Sequence, residues 1–70
     1  MQDRCTYQIE LLGRLDVNEL NLLSPQEMRE VCTAPAATLL SVTTDQSGLI
    51  GLLRHLHGLG LVILSLTRQP

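Results

Sequence analysis

The chain has 70 residues, a size that we expect to form one small domain over residues 1–70 and to bury only about 60% of its unfolded surface. Its apolar side chains are almost all aliphatic, with sixteen leucines, one tyrosine and no phenylalanine or tryptophan, and its formal net charge is −2. The five basic residues are single arginines spread along the chain, so the sequence argues against a phosphate-binding stripe, a base-stacking platform and a nucleic-acid partner.

The first predicted element is a half-buried strand over residues 7–15. Apolar and polar side chains alternate there, with Tyr7, Ile9 and Leu11 on one face and Gln8 and Glu10 on the other. The glycine at position 13 falls on the apolar face, which predicts a bulge or bend near the end of the strand.

The sequence of residues 16–36, the middle of the chain, allows two alternative secondary structures. Residues 16–23 fit neither the helical nor the strand period, and we expect a loop or irregular turn there. Ser24-Pro25-Gln26-Glu27 carries helix-start signals, so the local prediction is a short helix from Pro25 to about Cys32, ending before Pro35. A resemblance described below favours a β-hairpin for the same segment.

The C-terminal half predicts a strand, a helix and a second strand. Residues 37–44 form a β-branched apolar run, and Asp45 follows as the N-cap of a helix whose leucines at 49, 52, 53 and 56 share one stripe. Gly58 is the expected left-handed stop. The final strand, residues 61–67, is apolar on both faces along much of its length, a pattern typical of a central or doubly covered strand.

These elements define the predicted fold class as α+β, a small mixed sheet of three to four strands with one main helix on one face. The strand-helix-strand unit places its two strands parallel to each other. They are either adjacent or separated by the first strand, and the second arrangement is a split β-α-β unit, half of a ferredoxin-like fold.

Cysteine usage and hydropathy indicate a cytoplasmic protein with no membrane partner. Cys5 and Cys32 follow no signal peptide, which favours reduced thiols, although the sequence also leaves a disulfide between them open. The apolar stretch of residues 48–66 contains Arg54, His55 and His57 near its middle, and the uncharged remainder is too short to span a bilayer.

Residue types suited to catalysis are present without a recognisable motif. Residues two apart on a helix point about 200° apart, so His55 and His57 are not expected to share a metal, and the helical wheel turns His55 toward solvent. Ser41, Ser47 and His57 lack a nucleophile-elbow pattern. We therefore expect no catalytic residues, no metal site, no cofactor and no enzymatic activity.

The junction at residues 44–48 is the candidate ligand site, because it joins a strand to the free amides of a helix N-terminus. Such amides attract anions and carboxylates. We predict ligand contacts from Asp45, Ser47 and Gly48, with a simple helix cap as the alternative interpretation.

Two resemblances include this junction. Asp45-Gln46-Ser47-Gly48-Leu49 with residues 59–65 resembles the opening β-α-β of ACT-type regulatory domains, which implies sensing of an amino acid or anion. The match covers a little over a third of the chain, and the second strand-helix-strand of that family does not follow Arg68. The chain is also similar to short uncharacterised bacterial proteins that share Asp45-Gln46, the 49–53 leucine pattern, residues 59–61 and Leu64-Ser65; in that group the middle resembles a β-hairpin.

The sequence thus predicts a non-enzymatic interaction or scaffold module that self-associates as a homodimer or binds a protein partner. The basis is a large aliphatic content in a short chain without a catalytic motif. The alternative is an ACT-like module that senses a small anionic ligand.

Overall fold

The computed structural model describes residues 4–69, and of Thr33 only the backbone. It confirms the α+β class, with a four-stranded antiparallel sheet and two helices. The elements in chain order are β1 (Cys5–Leu12), α1 (Val17–Leu23), β2 (Arg29–Ala34), β3 (Ala37–Thr44), α2 (Gln46–Gly58) and β4 (Ile63–Arg68).

The strands lie in the order β2-β3-β1-β4, and each hydrogen-bonded neighbour is antiparallel. Because β3 and β4 are both antiparallel to β1, they run parallel to each other on its two sides. This is the split β-α-β arrangement, in which α2 connects two strands that do not touch. The register pairs Ile9 with Leu40 on one side and with Leu66 on the other.

The core lies on one face of the sheet. The buried apolar residues from the two central strands and α2 are Ile9, Leu11, Leu40, Val42, Leu49, Leu52 and Leu56. Val17 of α1 and Met28 complete the cluster. The alternate side chains of the central strands form the opposite face, called the open face below; they include Thr6, Gln8, Glu10, Leu39, Ser41 and Thr43, and none of them is fully buried.

Both ends of α2 are closed by local hydrogen bonds. At the start, Asp45 is the N-cap, as predicted, and its side chain accepts from the Gly48 amide. At the end, the Gly60 amide donates to the carbonyl of His57 over 3.0 Å and the Leu61 amide to that of Leu56 over 3.2 Å, the two bonds of a Schellman motif. Gly60 has φ +85, whereas Gly58 does not have positive φ. The prediction of Gly58 as the left-handed stop is therefore wrong by two residues.

The middle segment differs most from expectation. Residues 17–23, predicted to be a loop, form α1, because Asp16 Oδ1 accepts from the Asn18 amide at 3.0 Å and the Glu19 amide at 3.4 Å. The predicted helix from Pro25 to Cys32 is wrong. Ser24 ends α1 instead of starting a helix, and its hydroxyl donates to the Leu20 carbonyl at 2.5 Å.

The segment after Met28 forms a strand because tertiary pairing outweighs the local capping signals. β2 and β3 make a hairpin around Pro35 and Ala36, with Ala34 opposite Ala37, and the register shifts between Glu30 and Cys32. The hairpin alternative for the middle segment is thus the one observed.

Strand boundaries and environments also differ. β1 ends at Leu12, before Gly13, whose φ of +95 bends the chain as the glycine predicted. β3 has the predicted bounds. β4 was expected to be central or covered on both sides, but it lies at the sheet edge, and five of its six residues are exposed.

Candidate functional site

The predicted ligand junction is a tightly capped helix start. Asp45 Oδ1 accepts from the Gly48 amide at 2.7 Å, a short bond to an ionised acceptor. The Leu49 amide donates to the Asp45 carbonyl at 3.0 Å. The Gly48 amide, which the sequence analysis proposed as an anion contact, therefore already donates its hydrogen bond to the Asp45 carboxylate.

The space around Gly48 is filled by the chain itself. A Cβ placed on Gly48 would overlap the hydroxyl of Thr44, which is buried, and would lie 2.9 Å from the side-chain nitrogen of Gln26. Gln26 belongs to the segment between α1 and β2, so this glycine lets the middle of the chain pack against the start of α2. Ligand binding by Asp45, Ser47 and Gly48 stays a prediction; the geometry supports a capping role for Asp45 and close packing at Gly48.

The two histidines lie near the C-terminal end of α2 and point to different environments. His55 is half-buried, and its Nε2 is buried without a hydrogen-bond partner among the described residues. His57 is exposed and borders a small concavity with Gly60, Leu61 and nearby residues. The helical wheel is therefore wrong about His55, which is the more buried of the pair.

The residue types of a hydrolase are not brought together. Asp45 and His57 lie at opposite ends of α2, about 18 Å apart along a helix that rises about 1.5 Å per residue. Ser41 is on the open face of β3, away from both. In residues 4–69 no group of three or more His, Cys, Asp or Glu side chains is placed to hold a metal ion.

Both cysteines are free thiols. Cys5 pairs with Thr44 in β3, which puts it on the core side of the sheet, whereas Cys32 pairs with Leu39 and lies on the open face. Their strands are separated by β3. The disulfide that the sequence left open is not formed.

Three of the arginines, scattered in sequence, are gathered at one end of the sheet. Arg4 and Arg29 line one concavity, and Arg4 and Arg68 line another. Sequence reasoning missed this grouping, because it arises from strand pairing. Arg4 precedes β1, Arg29 begins β2 and Arg68 ends β4, and the strand directions bring these three positions to the same end of the sheet.

A second surface missed by the sequence is apolar and follows the unpaired edge of the sheet. The large apolar residues at or beside β4 with 43–51% exposure are Val62, Leu64, Leu66 and Leu59. Ile50 of α2 is 44% exposed, and it shares a helix flank with His57, which contacts the same concavity as Val62. We call these five apolar residues the β4 surface.

Comparison of the chain with protein-family models, with curated proteins and with solved structures found no match. The class of the protein therefore rests on its structure alone. It is a small α+β domain with a split β-α-β unit and an exposed edge strand. No helix in the described part of the chain is long and apolar enough to cross a membrane.

Proposed function

We propose that this protein is a self-associating interaction module whose β4 surface meets the same surface of a second copy. The observation that supports it is the contrast between the sequence of β4 and its surroundings. Residues 61–66 are apolar except for Ser65, the pattern of a covered strand, yet Val62, Leu64 and Leu66 in this run are exposed in the single chain. A second copy would supply the missing cover.

The two edges of the sheet differ in how well they are protected against pairing. β2 begins with the charged residues Arg29 and Glu30 and carries a bulge at Val31, both of which discourage the addition of a strand. β4 has no charged residue before Arg68. Its register with β1 shifts near the start of the strand, between Ile63 and Ser65. The β4 edge is thus the one open to augmentation.

An antiparallel pairing of two β4 strands suits this edge. With a two-fold axis at Leu66, the Leu66 residues of the two copies lie opposite each other and Arg68 lies opposite Leu64 of the second copy, so the two arginines do not face each other. A two-fold contact of this kind uses the same patch on both chains. The exposed Leu64 and Leu66 and the α2 flank at Ile50 then add apolar area beside the new backbone hydrogen bonds.

The test is molar mass by size-exclusion chromatography with light scattering across a dilution series. The unaltered chain is expected to be a dimer at high micromolar concentration, and Leu66→Lys and Leu64→Lys are expected to be monomers, because a lysine on an edge strand opposes pairing. The matched control is Leu22→Lys, on α1, where the side chain is 84% exposed and outside the β4 surface. Leu22→Lys is expected to stay dimeric.

Hydrogen exchange gives an independent reading of the same contact. The amides of β4 that point away from β1 are expected to exchange more slowly as protein concentration rises, while the outer amides of β2 are not. A folded monomer at every concentration, or a dimer that survives both lysine substitutions in β4, would contradict the proposal. Circular dichroism of each variant separates loss of the dimer from loss of the fold.

A further inference from the structure

The open face carries a basic concavity at the end where β1 begins and β3 ends. Its volume is about 560 Å³, and two arginines and three hydroxyl side chains line it: Arg4, Arg29, Thr6, Ser41 and Thr43. In the sheet register Arg29 pairs with Ser41 and Thr6 with Thr43, so the hydroxyls lie on the strands between the two arginines.

The two guanidinium groups retain most of their hydrogen-bonding capacity. A guanidinium has five N–H donors. Arg4 uses one of them, because its Nη2 donates to the Thr43 carbonyl at 2.8 Å, a bond that holds the side chain over the sheet. The Arg29 side chain makes no hydrogen bond or ion pair with another residue in the range 4–69.

The hydroxyls add donors to the same space. Thr6 and Thr43 share one hydrogen bond of 2.9 Å between their Oγ1 atoms, which leaves one of the two protons free to point elsewhere. The Ser41 hydroxyl makes no hydrogen bond with a described residue. Two guanidinium groups and two hydroxyl protons that are not engaged with described residues therefore offer several donors to an oxyanion.

The local charge is opposite in sign to that of the whole chain. Glu27 borders the concavity and offsets one arginine, while Arg68 borders an adjoining concavity on the other side of Arg4. These four side chains sum to +2, whereas the chain as a whole carries −2. Gln26 also lines the concavity and reaches Gly48, so the positive end of the α2 dipole lies close by.

We propose that this concavity binds a phosphate group, either inorganic phosphate or a small phosphomonoester. Two guanidiniums, one just before β1 and one at the start of β2, with hydroxyls of β1 and β3 beside them, match an anion that has three or four oxygens around one centre. A lone carboxylate has two oxygens and is satisfied by one guanidinium fork. The site differs from the predicted one at Asp45, Ser47 and Gly48, and it does not depend on self-association.

The test is a titration with inorganic phosphate at constant ionic strength, followed by amide chemical shifts in two-dimensional NMR. Saturable shifts are expected at residues 4–6, 29 and 41–43. Arg29→Gln is the diagnostic variant because this side chain supports no other residue of the described chain, and it is expected to weaken binding by about tenfold or more. Arg54→Gln, an exposed arginine on α2 that borders none of the concavities described above, is the matched control and is expected to leave the dissociation constant unchanged.

Parallel titrations separate the ligand classes. Phenyl phosphate is expected to bind at the same residues, and sulfate is expected to compete. Acetate is expected to bind at least about tenfold more weakly than phosphate, because it loses about one charge-assisted hydrogen bond. Leu66→Lys is expected to retain phosphate binding as a monomer. Equal loss in Arg29→Gln and Arg54→Gln, acetate binding as tight as phosphate, or shifts that grow linearly without saturation would each overturn the proposal.

Discussion

The side chain of Asn21 and the backbone of Met28 exchange two hydrogen bonds of 2.8 Å each. Asn21 Nδ2 donates to the Met28 carbonyl oxygen, and the Met28 amide donates to Asn21 Oδ1. Met28 precedes β2 and has no strand partner in the sheet. The Asn21 side chain of α1 instead pairs with both of its backbone hydrogen-bonding groups. The result is that Met28, 2% exposed, is held in the core between α1 and the sheet.

Replacement of Asn21 should therefore destabilise the protein more than its half-exposed position suggests. Asn21→Ala removes both partners of Met28, and leaving a half-buried amide and carbonyl unpaired costs about 1–3 kcal/mol. Asn21→Asp keeps the acceptor, loses the donor and adds a charge in the last turn of α1, where the helix dipole disfavours it. We expect both variants to lower the free energy of unfolding measured in urea.

The control for this measurement is Asn18→Ala, on the same helix. The Asn18 side chain is exposed and makes no hydrogen bond with a described residue, so the change should stay within about 0.5 kcal/mol. Alanine has a higher helix propensity than asparagine, so propensity would not lower the stability of either variant. A similar loss in the Asn18 and Asn21 variants would therefore contradict a specific role of the contact with Met28.

Thr38 is a second buried polar link, between β3 and the chain that leaves β1. Its hydroxyl donates to the Gly13 carbonyl at 2.8 Å and accepts from the Leu15 amide at 3.0 Å. Thr38→Val keeps the shape but leaves both backbone groups unpaired, at a cost of about 1–3 kcal/mol in unfolding free energy. Thermal or urea unfolding should show this loss, whereas Thr67→Val, exposed on β4, should be nearly neutral when both variants are made in the Leu66→Lys chain, which removes the proposed pairing of β4. Equal effects of the two variants would contradict the role of the Thr38 hydroxyl.

The three elements of the C-terminal half were predictable, although the position of the helix stop and the edge location of β4 were not, because the signals for each element are local. Asp45, the leucine stripe and the β-branched run of β3 each specify the element in which they lie. The order of the strands was predictable only as one of two choices, since residues 7–15 carry the apolar alternation of a strand but no information about its neighbours.

The middle of the chain and the arginine site were not predictable from local signals. Ser24 and Pro25 satisfy the statistics of a helix start, but Arg29–Ala34 gains more by pairing with β3 as a hairpin. In the same way, the meeting of Arg4 and Arg29 follows from the register of β1, β2 and β3, which the sequence does not state. The sequence pattern of a strand shows which side chains share a face. The pairing of the strands decides which of those side chains lie next to each other.

Gly48 and Gly51 lie one turn apart on α2 and should respond in opposite directions to the same substitution. A Cβ on Gly51 meets no atom within 4 Å, so Gly51→Ala should stabilise the protein by about 1 kcal/mol through helix propensity. A Cβ on Gly48 would overlap the Thr44 hydroxyl and crowd Gln26, so Gly48→Ala should destabilise it by about 1–3 kcal/mol.

The pair is its own control, because both changes add one methyl group to the same helix. Urea unfolding of the two variants and of Gly48→Ala combined with Gln26→Ala separates the two contacts at Gly48. If the Gln26 side chain contributes to the crowding, the double variant recovers part of the loss; if Thr44 alone causes it, no stability returns. Stabilisation by Gly48→Ala would show that the start of α2 is open, and it would restore the junction at Asp45, Ser47 and Gly48 as a place with room for a ligand.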